Sequence, residues 1–341
     1  MRLDMKNQFP ISSFQFPLAR LGLVAIALTV VVGSLPAQED ACLNRTVTVS
    51  VFNAEDEPVR SLDAAHFRGK IQGGNSEITS AKYDGSPHRL LFLVDASAAM
   101  TRDQAKWRSE LAMAEGLISW MPAQAPVALL TFANPKPEKI DFSQGREAVN
   151  TALAGLEASS GAGPGGTAEN GLSDAMTQAL AMLGEPHPGD VICLIADMSG
   201  DWSPAQKNDA EQKMLAGGVR LFGFLPESAL ATGGAAATDS IGAAALRDLI
   251  EATGGDYLIF SSTPNQSAAA GATDLTPQDR NKLLVASRSF AQEMTESYIL
   301  HIKLPHLAEG GSEWTLEALG DAKAKDAHWR VIYPKRLAKC P

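Results

Sequence analysis

Cysteine is scarce in this sequence, with three residues in 341, and their wide spacing excludes the close pairs of a zinc site. An excess of basic residues is also missing. The formal net charge is −10, so nothing offsets the repulsion of a phosphate backbone and a nucleic-acid partner is not expected. No apolar run reaches the roughly 20 residues that a membrane-spanning helix needs. The six histidines (His66, His88, His187, His301, His306 and His328) show no metal-ligand spacing, and His301 and His306 read as surface residues beside a strand and a Pro-containing turn. There is no G-x-S-x-G elbow, no His-Glu-x-x-His pair and no serine set to be activated. The Gly-rich stretch Ser159–Gly166 lacks the Lys-Ser/Thr end of a phosphate-binding loop. Solenoid and propeller periods are missing too.

What is present begins with an export signal over residues 1–37. Arg2, Lys6 and Arg20 form a basic region, Leu21 to Gly33 a short apolar one, and Ser34-Leu35-Pro36-Ala37 a small-residue cleavage site. The mature chain is expected to be periplasmic or extracellular, and to meet a membrane only if the signal is retained. In an oxidising compartment Cys42 and Cys340, near the two ends of the mature chain, are candidate disulfide partners. Cys193, inside an apolar run, reads as a buried and inert thiol.

Residues 42–87 are β in character. Thr46–Phe52 alternates with period two, and short strands are expected at His66–Ile71 and Ile78–Tyr83 around a turn at Gly73-Gly74-Asn75. From Leu90 the pattern changes. Leu90–Val94, Val127–Phe132 and Val191–Ala196 are short apolar runs suited to strands buried on both faces. Pro137–Phe142 reads as a short edge strand, and Val219–Leu225 and Tyr257–Phe260 as further strands. Helical spacing marks Asp103–Ile118, Arg146–Leu156, Ala168–Leu183, Ala205–Leu215 and Ala243–Ala252 between them. This alternation predicts an α/β fold, a doubly wound and mainly parallel sheet with helices on both faces, over residues 88–262. Ala229–Thr238 and Thr263–Thr273 read as exposed small-residue segments. Residues 263–296 form a linker and a long helix, with Leu283, Leu284, Phe290 and Met294 on its apolar side. Residues 297–341 return to alternating strands, at Tyr298–Leu304, Trp314–Leu319 and Trp329–Tyr333. These are expected to pair with residues 42–87 in a small flanking β-sandwich.

The strand Leu90–Val94 ends in Asp95, with Ser97 two residues on. Carboxylates and hydroxyls at the carboxyl ends of parallel strands are where an α/β sheet places a ligand site. With Gly165-Gly166-Thr167-Ala168 and the Val191–Ala196 strand ending in Asp197, this order of loops resembles the von Willebrand factor A domain. With its flanking β segments, the mature chain resembles bacterial exported proteins that carry such a domain. The resemblance implies a protein-binding or adhesion module, not an enzyme. It also implies a metal-ion-dependent adhesion site at Asp95, Ser97, Thr167 and Asp197. Mg²⁺, or Mn²⁺ or Ca²⁺ in its place, would be held by oxygen donors with one position open to an acidic group on a protein partner.

This sequence departs from the family pattern at Ala99, where a second serine is usual, and at Met198, where a glycine is usual. Ser199 or Asp201 could supply the missing oxygen. Two readings stay open: a metal site with water replacing the serine, and a metal-free hydrogen-bond cluster in an envelope scaffold. A hydrolase using Asp95 or Asp197 lacks the accompanying acid–base and nucleophile groups. Trp202, just after the Asp197 loop, is a candidate for the rim of the site.

Overall fold

The computed structural model describes residues 42–97, 100–101, 104–134, 137–159, 171–196, 202–226, 237–260, 277–307, 312–319 and 329–340. The segment 1–37 expected to be an export signal, most of the Gly-rich stretch, residues 229–236 and the segment 263–273 lie outside the described residues.

In chain order the elements are β1 (Asn44–Phe52), β2 (Phe67–Ile71), β3 (Gly74–Asp84), β4 (Leu90–Asp95), α1 (Gln104–Trp120), β5 (Val127–Phe132) and β6 (Lys139–Ile140). Next come α2 (Gly145–Ser159), α3 (Leu172–Leu183), β7 (Val191–Ile195), α4 (Pro204–Gly217), β8 (Arg220–Pro226), α5 (Ala237–Ala252) and β9 (Tyr257–Phe260). The chain closes with α6 (Pro277–Thr295), β10 (Ser297–Lys303), β11 (Trp314–Ala318) and β12 (Arg330–Ile332).

The central sheet has the order β6-β5-β4-β7-β8-β9. Its strands are parallel except β6, which runs antiparallel to β5 as a two-residue edge. Every residue of β4 is buried, and alternate side chains feed two separate cores. Leu90, Phe92 and Val94 pack with Trp107, Leu111 and Leu117 of α1 and with Val149 of α2. Leu91 and Leu93 face the opposite layer, with Ala175 and Met176 of α3, Met214 of α4 and Leu249 of α5. Period-two geometry thus turns a continuous apolar run into a strand gripped from both sides. Cys193 is buried here, and desolvation raises its thiol well above the ordinary range.

Helix α6 completes the first of these layers, because Phe290, Ala291 and Met294 lie in the same core as β4 and α1. It packs closely on α1 at Gly116, where a Cβ would come within 2.5 Å of the Ser287 hydroxyl. Leu284, expected on the apolar side, is instead 43% exposed. It lies about 100° around the helix from Leu283, beyond the stripe that Phe290 and Met294 define. Ser287 and Glu293 occupy the buried stripe in its place.

Residues 44–84 and 297–332 share a second sheet, of order β11-β2-β3-β10-β1-β12. Its strand pairs are antiparallel. The sheet folds over its own core, joining Val49, Phe67, Ile71, Leu300, Trp314, Leu316 and Leu337. Its edge strands come together where the Trp314 amide donates to the Lys335 carbonyl at 3.2 Å. The β2–β3 turn is Gln72-Gly73, one residue earlier than expected, and both residues have positive φ (47° and 82°). A two-residue hairpin turn needs that backbone to match the twist of its strands. Helix α5 likewise begins at Ala237, six residues before the expected Ala243.

Cys42 and Cys340 are joined in a disulfide, with a Cα–Cα distance of 5.4 Å. The staple ties the segment before β1 to the segment after β12, beside the sheet to which both strands belong.

Candidate functional site

The carboxyl end of β4 carries two of the expected site residues. Asp95 ends the strand and is only 3% exposed. Its Oδ1 accepts a 2.8 Å hydrogen bond from the Ser97 amide, so the carboxylate closes the turn that leaves the strand. The Ser97 hydroxyl accepts from the Met100 amide at 3.3 Å, and the Ser97 carbonyl accepts from both the Thr101 amide and its hydroxyl. The turn is therefore closed by side chains, as polar residues at a strand–helix junction generally do. On the β5 side it is anchored by the Ala96 amide, which donates to the Phe132 carbonyl at 3.0 Å.

In the parallel register Val94 stands opposite Ile195 of β7 and opposite Thr131 of β5. The chain thus enters the Asp197 segment directly beside the end of β4. Asp197 itself, Thr167, Ala99, Met198, Ser199 and Asp201 lie outside the described residues. Asp95 and Ser97 are brought together; the other two expected ligands are not placed. Among the described residues, no three His, Cys, Asp or Glu side chains converge in a metal-binding group.

Trp202, expected on the rim, is half-buried and packs against the core of β7, α3 and α4. Its indole N–H is buried and has no hydrogen-bond partner among the described residues. Thr131, which the sequence reading passed over, is 1% exposed at this end of the sheet. Its hydroxyl accepts a 2.6 Å bond from the Glu138 amide, pinning the short edge strand β6. A threonine inside Val127–Phe132 was the available signal.

The opposite end of the sheet holds the more heavily charged cluster, and sequence reasoning missed it. Arg220 opens β8 and is 1% exposed. It donates to the Gly254 carbonyl at 2.7 Å and to the Glu293 carbonyl at 3.0 Å, and lies over the Phe222 ring. Burial pulls its guanidinium down to about 10. The buried Glu293 carboxylate accepts a 2.6 Å bond from Arg330, which also reaches Asp256 and Asp56 at 3.1 Å. His88, 6% exposed, lies 3.8 Å from Asp84, and desolvation lowers its imidazole from the usual value. Arg89 pairs with the buried Asp190. A charged residue opening an apolar strand, as at Val219-Arg220-Leu221, was the signal for this cluster.

Residues 90–200 match the family model of the von Willebrand factor type A domain. That segment resembles a von Willebrand factor type A domain, called the A domain below. The strand order and the two helical layers above are its fold, with the sheet of chain ends packed beside it. Solved structures that the chain resembles include the human COPII-coat protein Sec24c, at 11% identity and a TM-score of 0.42, with 75% of this chain and 44% of that one covered. This chain thus spans less than half of that Sec24c chain. Another is a von Willebrand factor type A protein from Catenulispora acidiphila, at 12% identity and a TM-score of 0.42, covering 87% of this chain and 73% of that one. A third is an aerotolerance-related membrane protein from Bacteroides fragilis, at 13% identity and a TM-score of 0.39, covering 61% and 98%. Comparison with curated protein sequences finds no match.

Domains of this family commonly mediate protein–protein interaction and are generally non-catalytic. Among the described residues no helix is long and apolar enough to cross a membrane.

Proposed function

We propose that the chain is an exported protein-binding module that presents the carboxyl end of the A-domain sheet to an acidic group on a partner protein. The observation that carries this reading is the buried Asp95 carboxylate at the tip of the central strand, with Ser97 turned beside it. Both supply only oxygen, the donor chemistry that Mg²⁺ requires. Thr167 and Asp197 would complete the set, with water in the place that Ala99 leaves. A bound cation would supply a positive charge for the partner's carboxylate. The disulfide between Cys42 and Cys340 supports export, because such bonds persist in oxidising compartments.

The test is calorimetric titration of the mature chain with Mg²⁺ and Mn²⁺, with Asp95→Ala alongside. Saturable binding that Asp95→Ala abolishes is the expected result. No binding at millimolar metal, or equal binding by the variant, overturns the metal-bridged reading.

One observation favours a second reading, a metal-free scaffold of the envelope. The Asp95 carboxylate and the Ser97 hydroxyl each already accept a backbone hydrogen bond, which suffices to explain them structurally. Partners captured by the mature chain from envelope extract separate the two. Loss of partners with chelator or with Thr167→Ala supports the metal bridge, and retention under both supports the scaffold.

A further inference from the structure

The amino ends of β7 and β8, at the end of the central sheet away from Asp95, border a cleft of about 650 Å³. Its walls come from β1, from the carboxyl end of α4, and from the last residues before Cys340. That volume is ordinary for a small-molecule site. Four cationic residues line it, Arg45, Arg220, Arg336 and Lys339, and among the described residues no acidic one does. In a chain of net charge −10 such segregation of sign creates a local anion-attracting field.

The cations are not equivalent. Arg336 is paired with Glu211 and Asp248. Arg45, by contrast, has Nε and one terminal nitrogen buried with no hydrogen-bond partner among the described residues. Arg220 is 1% exposed and uses Nε and one terminal nitrogen on backbone carbonyls, yet its other terminal nitrogen has no partner. The Thr48 hydroxyl on the same wall is likewise buried and unpartnered. A buried donor left unmade costs about 1–3 kcal/mol, more when charged. Desolvation lowers both guanidinium groups from their ordinary value, as expected where a positive charge has lost water and gained no full partner. Between these donors the wall is apolar, formed by Leu215, Val219, Leu337 and Pro188.

We infer that this cleft binds a small amphiphilic anion, its carboxylate or phosphate head on Arg45, Arg220 and Thr48 and its apolar body along Leu215, Val219 and Leu337. Planar guanidinium groups suit a two-oxygen head, which they can grip with paired hydrogen bonds. The site needs both structural units, because β1 and the C-terminal segment supply one wall and the A domain the other. It is independent of the Asp95 end, so either assignment can fail alone.

The probes are decanoate, decyl phosphate and decanol, titrated by calorimetry into the mature, disulfide-intact chain. One-to-one binding of decanoate or decyl phosphate, at least tenfold tighter than decanol, is the expected result, and the tighter of the two assigns the head group. Arg45→Gln should weaken it at least tenfold without lowering the urea midpoint, because two of the three guanidinium nitrogens of Arg45 have no hydrogen-bond partner among the described residues. Arg68→Gln, on an exposed residue outside the cleft, should leave binding unchanged. Decanol binding as tightly as the anions, Arg45→Gln binding as the wild type does, or no saturable binding of either anion overturns the assignment. Arg220→Gln serves as a second variant where it folds.

Discussion

Arg330 on β12 donates a 2.6 Å hydrogen bond to Glu293 on α6 and a 3.1 Å one to Asp256 at the foot of β9. One guanidinium therefore fastens the sheet of chain ends to the A domain. It also lies over the Phe52 ring of β1, so the contact is part apolar.

Burial raises the Glu293 carboxyl from 4.5 to about 7, against the opposing pull of Arg330. A carboxyl that holds its proton more tightly in the folded than in the unfolded chain stabilises the fold at low pH. That contribution is complete below about pH 4.5 and is lost as pH rises through about 7. Urea unfolding should show the wild type losing about 3 kcal/mol relative to Glu293→Gln between roughly pH 4 and pH 8. Parallel stability curves for the two proteins would refute the assignment.

Asp95 has a structural task that can be separated from any ligand. Asp95→Ala removes the acceptor for the Ser97 amide and is expected to cost about 1 kcal/mol in urea unfolding. Asp95→Asn keeps a side-chain oxygen there and should recover most of that loss. Metal binding, in contrast, should be absent from both. If Asn restores binding along with stability, the carboxylate charge is irrelevant to the site.

Gly255 passes so close to β8 that a Cβ would sit 1.6 Å from the Leu221 carbonyl oxygen. The obstacle is backbone, with no flexible side-chain tail to swing away. Gly255→Ala should therefore cost more than the roughly 1–3 kcal/mol of an ordinary overpacked core. Thermal unfolding of the purified variant measures it. A midpoint equal to that of the wild type would show that β8 and the loop before β9 can part freely.

The Cys42–Cys340 bond closes a loop of 298 residues. Restricting the unfolded chain over that span should contribute about 2–5 kcal/mol. Urea midpoints with and without reductant, and in Cys42→Ser, give the value. Reductant that shifts the wild type but not Cys42→Ser isolates this bond, since Cys193 is buried in the core. Equal midpoints throughout would mean that the paired strands alone hold the ends together.

Much of the fold is legible because it rests on burial of continuous apolar runs. Leu90–Val94 and Val191–Ala196 can be buried on both faces only in a sheet covered by two helical layers, and the alternation of elements supplies those layers. Pairing of the chain ends was legible from period-two strands at both termini. Polar residues in buried positions were not. Ser287 and Glu293 hide in the inner stripe of α6, and Arg220 in the first position of β8, because hydropathy counts a charge as surface unless its partners are known. Those partners, Gly254, Glu293 and Arg330, lie 34, 73 and 37 residues away from the groups they satisfy, beyond any local pattern. The Asp95–Ser97 pair was legible for the opposite reason, since both sit within one turn.

Strand β1 lies between β10 and β12, so the earliest strand of the second sheet is flanked by strands from near the end of the chain. During synthesis strands β4 to β9 are complete well before β1 can find a neighbour in β10 or β12. Both lateral edges of β1 stay open through that interval, and open edges invite pairing with other chains. The stretch that carries β10 and β12 therefore does more than finish the sheet: it ends the period in which β1 is a hazard.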